Sequence, residues 1–151
     1  MATYYDSSAV LAILLRQPDA ERCTREWEGE TVRIASILLE AECLIVLRRI
    51  ARLPGPEVKA SFLKERAAAL SSLMEEVSLE DVHRSILEVL RLAPPLVGSR
   101  TLDALHLATA LFFQQSLGEP LRVCSLDQRM RKLAQELRLE VVPTVASEGK
   151  S

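Results

Sequence analysis

Short runs of β-branched and aromatic residues alternate with longer helical patterns along almost the whole chain. That alternation confines the fold to an α/β class, with a mainly parallel sheet held between helices. Ala2–Tyr5 reads as a first strand, broken by Asp6-Ser7-Ser8. Helical patterns follow at Ala9–Arg16 and Asp19–Trp27, the second ended by Gly29. Thr31–Ala35 is β-branched and reads as a second strand, with Ser36 at an N-cap position before a long helix over Leu38–Ala51. Pro54-Gly55-Pro56 is a firm break, better suited to a corner between helices than to a domain boundary. Beyond it, Glu57–Met74 predicts a helix, Glu76–Ser78 a short strand and Asp81–Leu92 a further helix. Thr101–Ser116 is apolar on nearly every face, the pattern of a buried helix. After the turn at Gly118-Glu119-Pro120 come a strand at Leu121–Cys124, an amphipathic helix at Asp127–Leu137 and a last strand at Glu140–Val142. The whole predicts a three-layer α/β/α sandwich.

A chain of 151 residues suits one domain, here residues 1–146, followed by a loose tail at 147–151. A domain of that size buries about 68–70% of its unfolded surface and needs no disulfide or zinc staple. With 48% hydrophobic and 26% charged residues the composition is that of a soluble globular protein. Cys23, Cys43 and Cys124 form no CxxC pair and no cluster of zinc spacing, so they read as reduced thiols of a cytoplasmic protein, with Cys43 and Cys124 in apolar, buried runs. Met1–Asp6 reaches a charge before any apolar signal region forms, and no charge-free run of about 18 apolar residues exists. Neither a signal peptide nor a membrane span is expected. A net charge of −2 neither selects nor excludes a nucleic-acid partner. The 15 Arg against 4 Lys offer forks that match phosphate, although GC-rich coding produces the same bias.

In an open parallel sheet, ligands bind beyond the carboxyl ends of the strands. Asp6 follows the first strand and Asp127 the strand Leu121–Cys124; Glu42 lies on the helix after the second strand, and Asp103 opens the buried helix. Each has a plain structural alternative. Asp6 and Asp127 suit helix N-caps, Asp103 suits the positive end of a helix dipole, and Glu42 has Arg49 two turns on as a partner. Glu40 competes for any role given to Glu42. Together the four carboxylates converge at one end of one sheet, where they repel unless a divalent cation neutralises them. Oxygen donors point to Mg²⁺ or Mn²⁺, and such a site suits phosphodiester hydrolysis.

At these residues the chain resembles the PIN-domain ribonucleases, and within them the VapC-type toxins of type II toxin–antitoxin systems. Tyr4-Tyr5-Asp6-Ser7-Ser8-Ala9 resembles the family's opening Asp-(Thr/Ser)-Ser element. Ser36 to Glu42 is similar to its Ser-x5-Glu element, a spacing that prefers Glu42 to Glu40. Leu102-Asp103-Ala104-Leu105-His106-Leu107-Ala108-Thr109-Ala110 is the most specific match, and Ser125-Leu126-Asp127-Gln128-Arg129-Met130 resembles the closing (Thr/Ser)-x-Asp-x-Arg element. Ser7 and Ser125 stand where Thr is common, and both keep the hydroxyl.

The resemblance implies an RNA substrate, a Mg²⁺ or Mn²⁺ cofactor, a homodimer and an antitoxin partner. By matching, Asp6 and Asp103 become metal ligands. Glu42 becomes a ligand or water-positioning carboxylate, and Asp127 acts through a water or a second metal. Ser8 and Ser125 hold a carboxylate or a bound water. His106 reads as a packed, hydrogen-bonded residue more readily than as an acid or base, and Trp27 as a packing residue. Arg129, in the first turn after Asp127, is the favoured RNA contact among Arg48, Arg49, Arg129, Arg131 and Lys132. A phospho-acceptor regulatory domain would want paired acids after the first strand and a Lys at a strand end. Ser7-Ser8 follow Asp6 instead, and Lys59, Lys64, Lys132 and Lys150 all lie elsewhere. A PIN fold that only docks a protein partner would not need the full acidic set.

Overall fold

Five short strands line up side by side: β1 (Ala2–Tyr5), β2 (Val32–Ser36), β3 (Ser78–Glu80), β4 (Leu121–Cys124) and β5 (Glu140–Val142). A computed structural model describes residues 1–55 and 58–144. All four strand pairings are parallel, in the order β3-β2-β1-β4-β5. Among the described residues seven α-helices surround the sheet: α1 (Ser7–Leu14), α2 (Ala20–Gly29), α3 (Ile37–Ala51), α4 (Val58–Glu75), α5 (Arg84–Leu92), α6 (Thr101–Leu117) and α7 (Gln128–Glu136).

Side chains alternate across each strand, so one strand feeds two cores. Ala2 and Tyr4 of β1 pack with Ile86, Leu107, Ala108 and Met130, from α5, α6 and α7. Tyr5 faces the opposite way, onto Val10, Trp27, Leu39 and Leu70, from α1 to α4. The result is the expected three-layer sandwich, with a sheet that is wholly parallel.

Several boundaries moved. The third strand is Ser78–Glu80, two residues later than its pattern suggested, because Ile34–Ser36 of β2 sets its register. α5 starts at Arg84 rather than Asp81, where the His83 ring accepts a hydrogen bond from the Ser85 amide. α1 starts at Ser7 directly after the extended Asp6, and Arg16 falls outside it at a φ of 52°. Gly29 is the last residue of α2 rather than its stop. Trp27 is packed as expected, its ring 4.7 Å from that of Tyr5 and its indole N–H bonded to Glu76. All three cysteines are free and buried. Cys23, despite charged neighbours in sequence, shares the inner face of α2 with Trp27 one turn on. The corner residues Pro56 and Glu57 and the tail 147–151 lie outside the described residues.

β1, β2 and β3 step outward in one direction, and the chain then returns to lay β4 on the other side of β1. The order therefore reverses between β1 and β4. The helices after these strands leave on opposite faces, α1 onto one core and α7 onto the other. A crevice opens where the paths diverge, beyond the carboxyl ends of the two strands.

Candidate active site

Asp6 is the first residue beyond β1 and lies at that crevice. Its amide donates to the Cys124 carbonyl at 3.1 Å, which continues the β1–β4 ladder and sets Asp6 level with Ser125. Asp6 is 4% exposed and occupies the N-cap position of α1, yet its side chain caps nothing. Its Oδ2 instead accepts from the Ser8 and Ser125 hydroxyls, each at 2.7 Å. Those hydroxyls are oriented in turn by the amides of Leu126 and Asp127, at 2.9 and 3.2 Å. Each serine thus has its single proton committed to Asp6. Oδ1 carries a 3.4 Å contact from Ser7. The two serines singled out by the sequence hold one carboxylate oxygen and leave the other lightly engaged.

Asp103 is the third residue of α6 and is half-buried. Burial raises its pKa above the ordinary value, and the charges of Asp127 and Asp6 push it the same way. Arg100 and His106 pull against that rise without cancelling it. Asp103 therefore feels acids from two other segments of the chain. Asp127 does act as the N-cap of α7. Its Oδ1 accepts from the amides of Arg129 and Met130 at 2.8 and 3.1 Å. That cap takes one oxygen of two and does not exclude a second role.

Glu42 reaches the same end of the sheet from α3. Its partner is not Arg49, which stands exposed, but the buried His106, whose Nε2 bonds Glu42 Oε1. His106 Nδ1 meets the Tyr4 hydroxyl at 2.8 Å. Burial works against a second proton on His106, but the bond to Glu42 and the charges of Asp6, Glu42 and Asp103 outweigh it and raise its pKa. Burial, then the charges of Glu42, Asp6 and Glu40, push the neighbouring Cys43 thiol up to about 12. His106 is 1% exposed with both ring nitrogens bonded, the packed residue its setting suggested. The strand pattern alone gives Tyr4 no role in the site. Its one signal in the sequence is its place two residues before Asp6, on the same side of the strand.

The basic residues divide. Arg131 is not a phosphate contact: it is 8% exposed and donates to the carbonyls of Ser125, Val142 and Pro143 at 2.7, 3.3 and 3.0 Å. It ties the carboxyl ends of β4 and β5 beneath the Ser125–Asp6 bond. Arg129, two residues earlier, is exposed. With Arg100, Lys132 and Asp103 it lines a groove of about 430 Å³, and among the described residues Glu136 is the one other charged group on its wall. Arg48 and Arg49 stand exposed on α3.

Fold and site together define a parallel α/β/α domain with acids gathered at the β1–β4 crevice. Residues 3–136 match the PIN domain family. The chain is 35% identical over 143 residues to Ribonuclease VapC46 of Mycobacterium tuberculosis (strain ATCC 25618 / H37Rv), covering 93% of this chain and 96% of that protein. The chain belongs to the PIN-domain family and, within it, stands with the VapC-type ribonucleases. The crystal structure of PAE2754 from Pyrobaculum aerophilum superposes with a TM-score of 0.58 at 16% identity, over 93% of this chain and 83% of that one, a likeness of fold.

Proposed function

We propose that the chain is a Mg²⁺- or Mn²⁺-dependent endoribonuclease, the toxin of a toxin–antitoxin pair, with Asp6, Glu42, Asp103 and Asp127 as its catalytic carboxylates. The observation that carries the reading is Asp6. A buried carboxylate at the switch point of a parallel sheet is held through one oxygen by two serines, and the pKa of Asp103 is raised by burial, then by the charges of Asp127 and Asp6. Repulsion of that kind is relieved by a cation.

The residues fit a hard ion. All the donors are oxygens, and among the described residues no three His, Cys, Asp or Glu side chains group closely enough to enclose an ion unaided. Mg²⁺ needs no such cage, because it keeps several waters and takes one or two carboxylates. Asp6 and Asp103 would hold it. Such an ion would supply an activated water and would steady charge on a phosphate. Glu42 orients the attacking water. Asp127 acts from the rim through a further water, and Ser8 and Ser125 fix the Asp6 rotamer. The groove of Arg100, Arg129 and Lys132 carries the RNA backbone towards Asp103, since cations there neutralise phosphates without reading sequence.

A homodimer, an antitoxin partner and a cytoplasmic location belong to the same reading. The half-exposed apolar residues Ile37, Leu44 and Ile45 on α3 offer a surface for protein contact. Among the described residues no helix is long and apolar enough to cross a membrane.

The test is to incubate the purified chain, freed of any co-purifying partner, with total RNA and Mg²⁺ or Mn²⁺. Parallel samples contain EDTA, or the folded Asp6→Asn and Asp103→Asn variants. Defined cleavage that all three treatments abolish is the expected result. Metal-independent cleavage would refute the mechanism. Metal binding without cleavage of any RNA would favour a docking module.

A further inference from the structure

Tyr4 in β1, His106 in α6 and Glu42 in α3 form one chain of hydrogen bonds that crosses all three layers. The Ser36 amide donates to the Tyr4 hydroxyl oxygen at 3.2 Å. The Tyr4 hydroxyl in turn is hydrogen-bonded to His106 Nδ1 at 2.8 Å. A carboxylate oxygen only accepts, so Nε2 carries a proton and donates it to Glu42 Oε1. Tyr4 and His106 are 0% and 1% exposed, and their rings meet edge to face at 6.1 Å and 74°. No polar atom of His106 is left over for a substrate.

A packing histidine needs only some acceptor, and a backbone carbonyl would serve. This one bonds a flexible carboxylate that projects from a helix of the opposite layer. Glu42 is still 29% exposed, and without that bond its rotamers would be open. The Ser36 amide anchors the far end of the chain, next to the strand end from which α3 starts. Groups that orient a working carboxylate from behind in this way commonly matter 10–100-fold to function.

We propose that Tyr4 and His106 are positioning residues. They hold Glu42 by Oε1, so that Oε2 alone faces the reacting water or ion. The inference rests on the nuclease reading, and it assigns Glu42 a single working oxygen.

The experiment uses the full chain and an RNA oligonucleotide carrying a cut site mapped in total RNA. Cleavage kinetics are measured for His106→Leu, His106→Gln, Tyr4→Phe, Glu42→Ala and the double variant Glu42→Ala/His106→Leu, each checked by thermal melting. His106→Leu should lose about 10–100-fold in kcat while its KM stays within about twofold. His106→Gln, whose amide N–H₂ occupies the Nε2 position, should recover much of that loss. In the Glu42→Ala background His106→Leu should cost nothing further, because residues that act through one group are not additive. A folded His106→Leu with wild-type kcat would overturn the proposal, and so would a full extra loss in the double variant. Tyr4→Phe carries the same test if His106→Leu does not fold. If Glu42→Ala cuts as fast as the unaltered chain, the positioning role falls while EDTA-sensitive cleavage keeps the metal site. If the unaltered chain cuts nothing, the nuclease reading fails first and this inference with it.

Discussion

Arg129 and Arg131 lie two residues apart on one short helix, and their substitutions should have opposite consequences. Arg131→Met removes donors from three carbonyls. The Val142 carbonyl keeps a partner, since it also accepts from the Ser125 amide at 3.0 Å. The carbonyls of Ser125 and Pro143 lose the Arg131 bond that pairs them. Each buried group left unpaired costs roughly 1–3 kcal/mol, so the pair costs about 2–6 kcal/mol. Met retains most of the packing of the arginine stem, so the central expectation is about 4 kcal/mol. In a domain of this size each kcal/mol moves Tm by about 2–4 °C, which makes the shift about 8–16 °C. Arg129→Met, at an exposed position, should stay within about 0.5 kcal/mol and move Tm by no more than about 2 °C. It should instead weaken RNA binding and lower the slope of log affinity against log salt by about 0.7, the share of one phosphate on a single strand. Thermal melting by circular dichroism and fluorescence anisotropy with labelled RNA in EDTA read the two effects separately. Equal melting temperatures for Arg131→Met and the unaltered chain would refute the clamp. An unchanged salt slope in Arg129→Met would refute its place on the RNA path.

Three further outcomes follow from the same geometry. Asp127→Ala should cost about 1 kcal/mol of stability through the lost cap and also abolish cleavage; Asp127→Ser should restore the melting temperature but not the activity, and recovery of both would remove the carboxylate from the mechanism. Glu30 lies buried where Thr3, Arg122 and the Thr31 amide donate to it at 2.8, 3.1 and 3.0 Å. Burial alone would raise its pKa, but those bonds and the amino terminus together hold it below the ordinary value. Its contribution to stability is therefore present above the unfolded carboxyl value, about 4.3, and is lost as pH falls through the lower folded value. Glu30→Gln should be less stable at neutral pH and should lose less on acidification, and urea melts with parallel pH trends would contradict this. Leu107→Ala empties a fully buried position between α6 and the sheet and should cost about 2–5 kcal/mol in urea unfolding at an unchanged slope.

The parts of this protein that local chemistry decides were legible in the amino-acid sequence. Alternation of β-branched runs with helical periodicity marks a parallel sheet between helices, because burial on one face or two imposes its period on any strand or helix. Asp6 and Asp127 stand out because they follow strands directly, and Asp103 because it interrupts an apolar run. The edge strand β3 was placed two residues early, since a short, half-exposed strand takes its register from its neighbour and not from its own pattern. Glu42 drew a partner within its own helix, while its actual partner sits 64 positions away on the other side of the sheet. Arg131 is a cation beside two others, Arg129 and Lys132, and only the placing of the Val142 and Pro143 carbonyls next to α7 turned it into a clamp. Sequence alone determined which elements form and which residue types follow each strand, because those depend on near neighbours along the chain. The strand order β3-β2-β1-β4-β5, the β1–β4 crevice and the meeting of Tyr4, His106 and Glu42 were decided by tertiary structure. Such contacts join residues far apart in the chain, and only the packing of three layers brings them within hydrogen-bond reach.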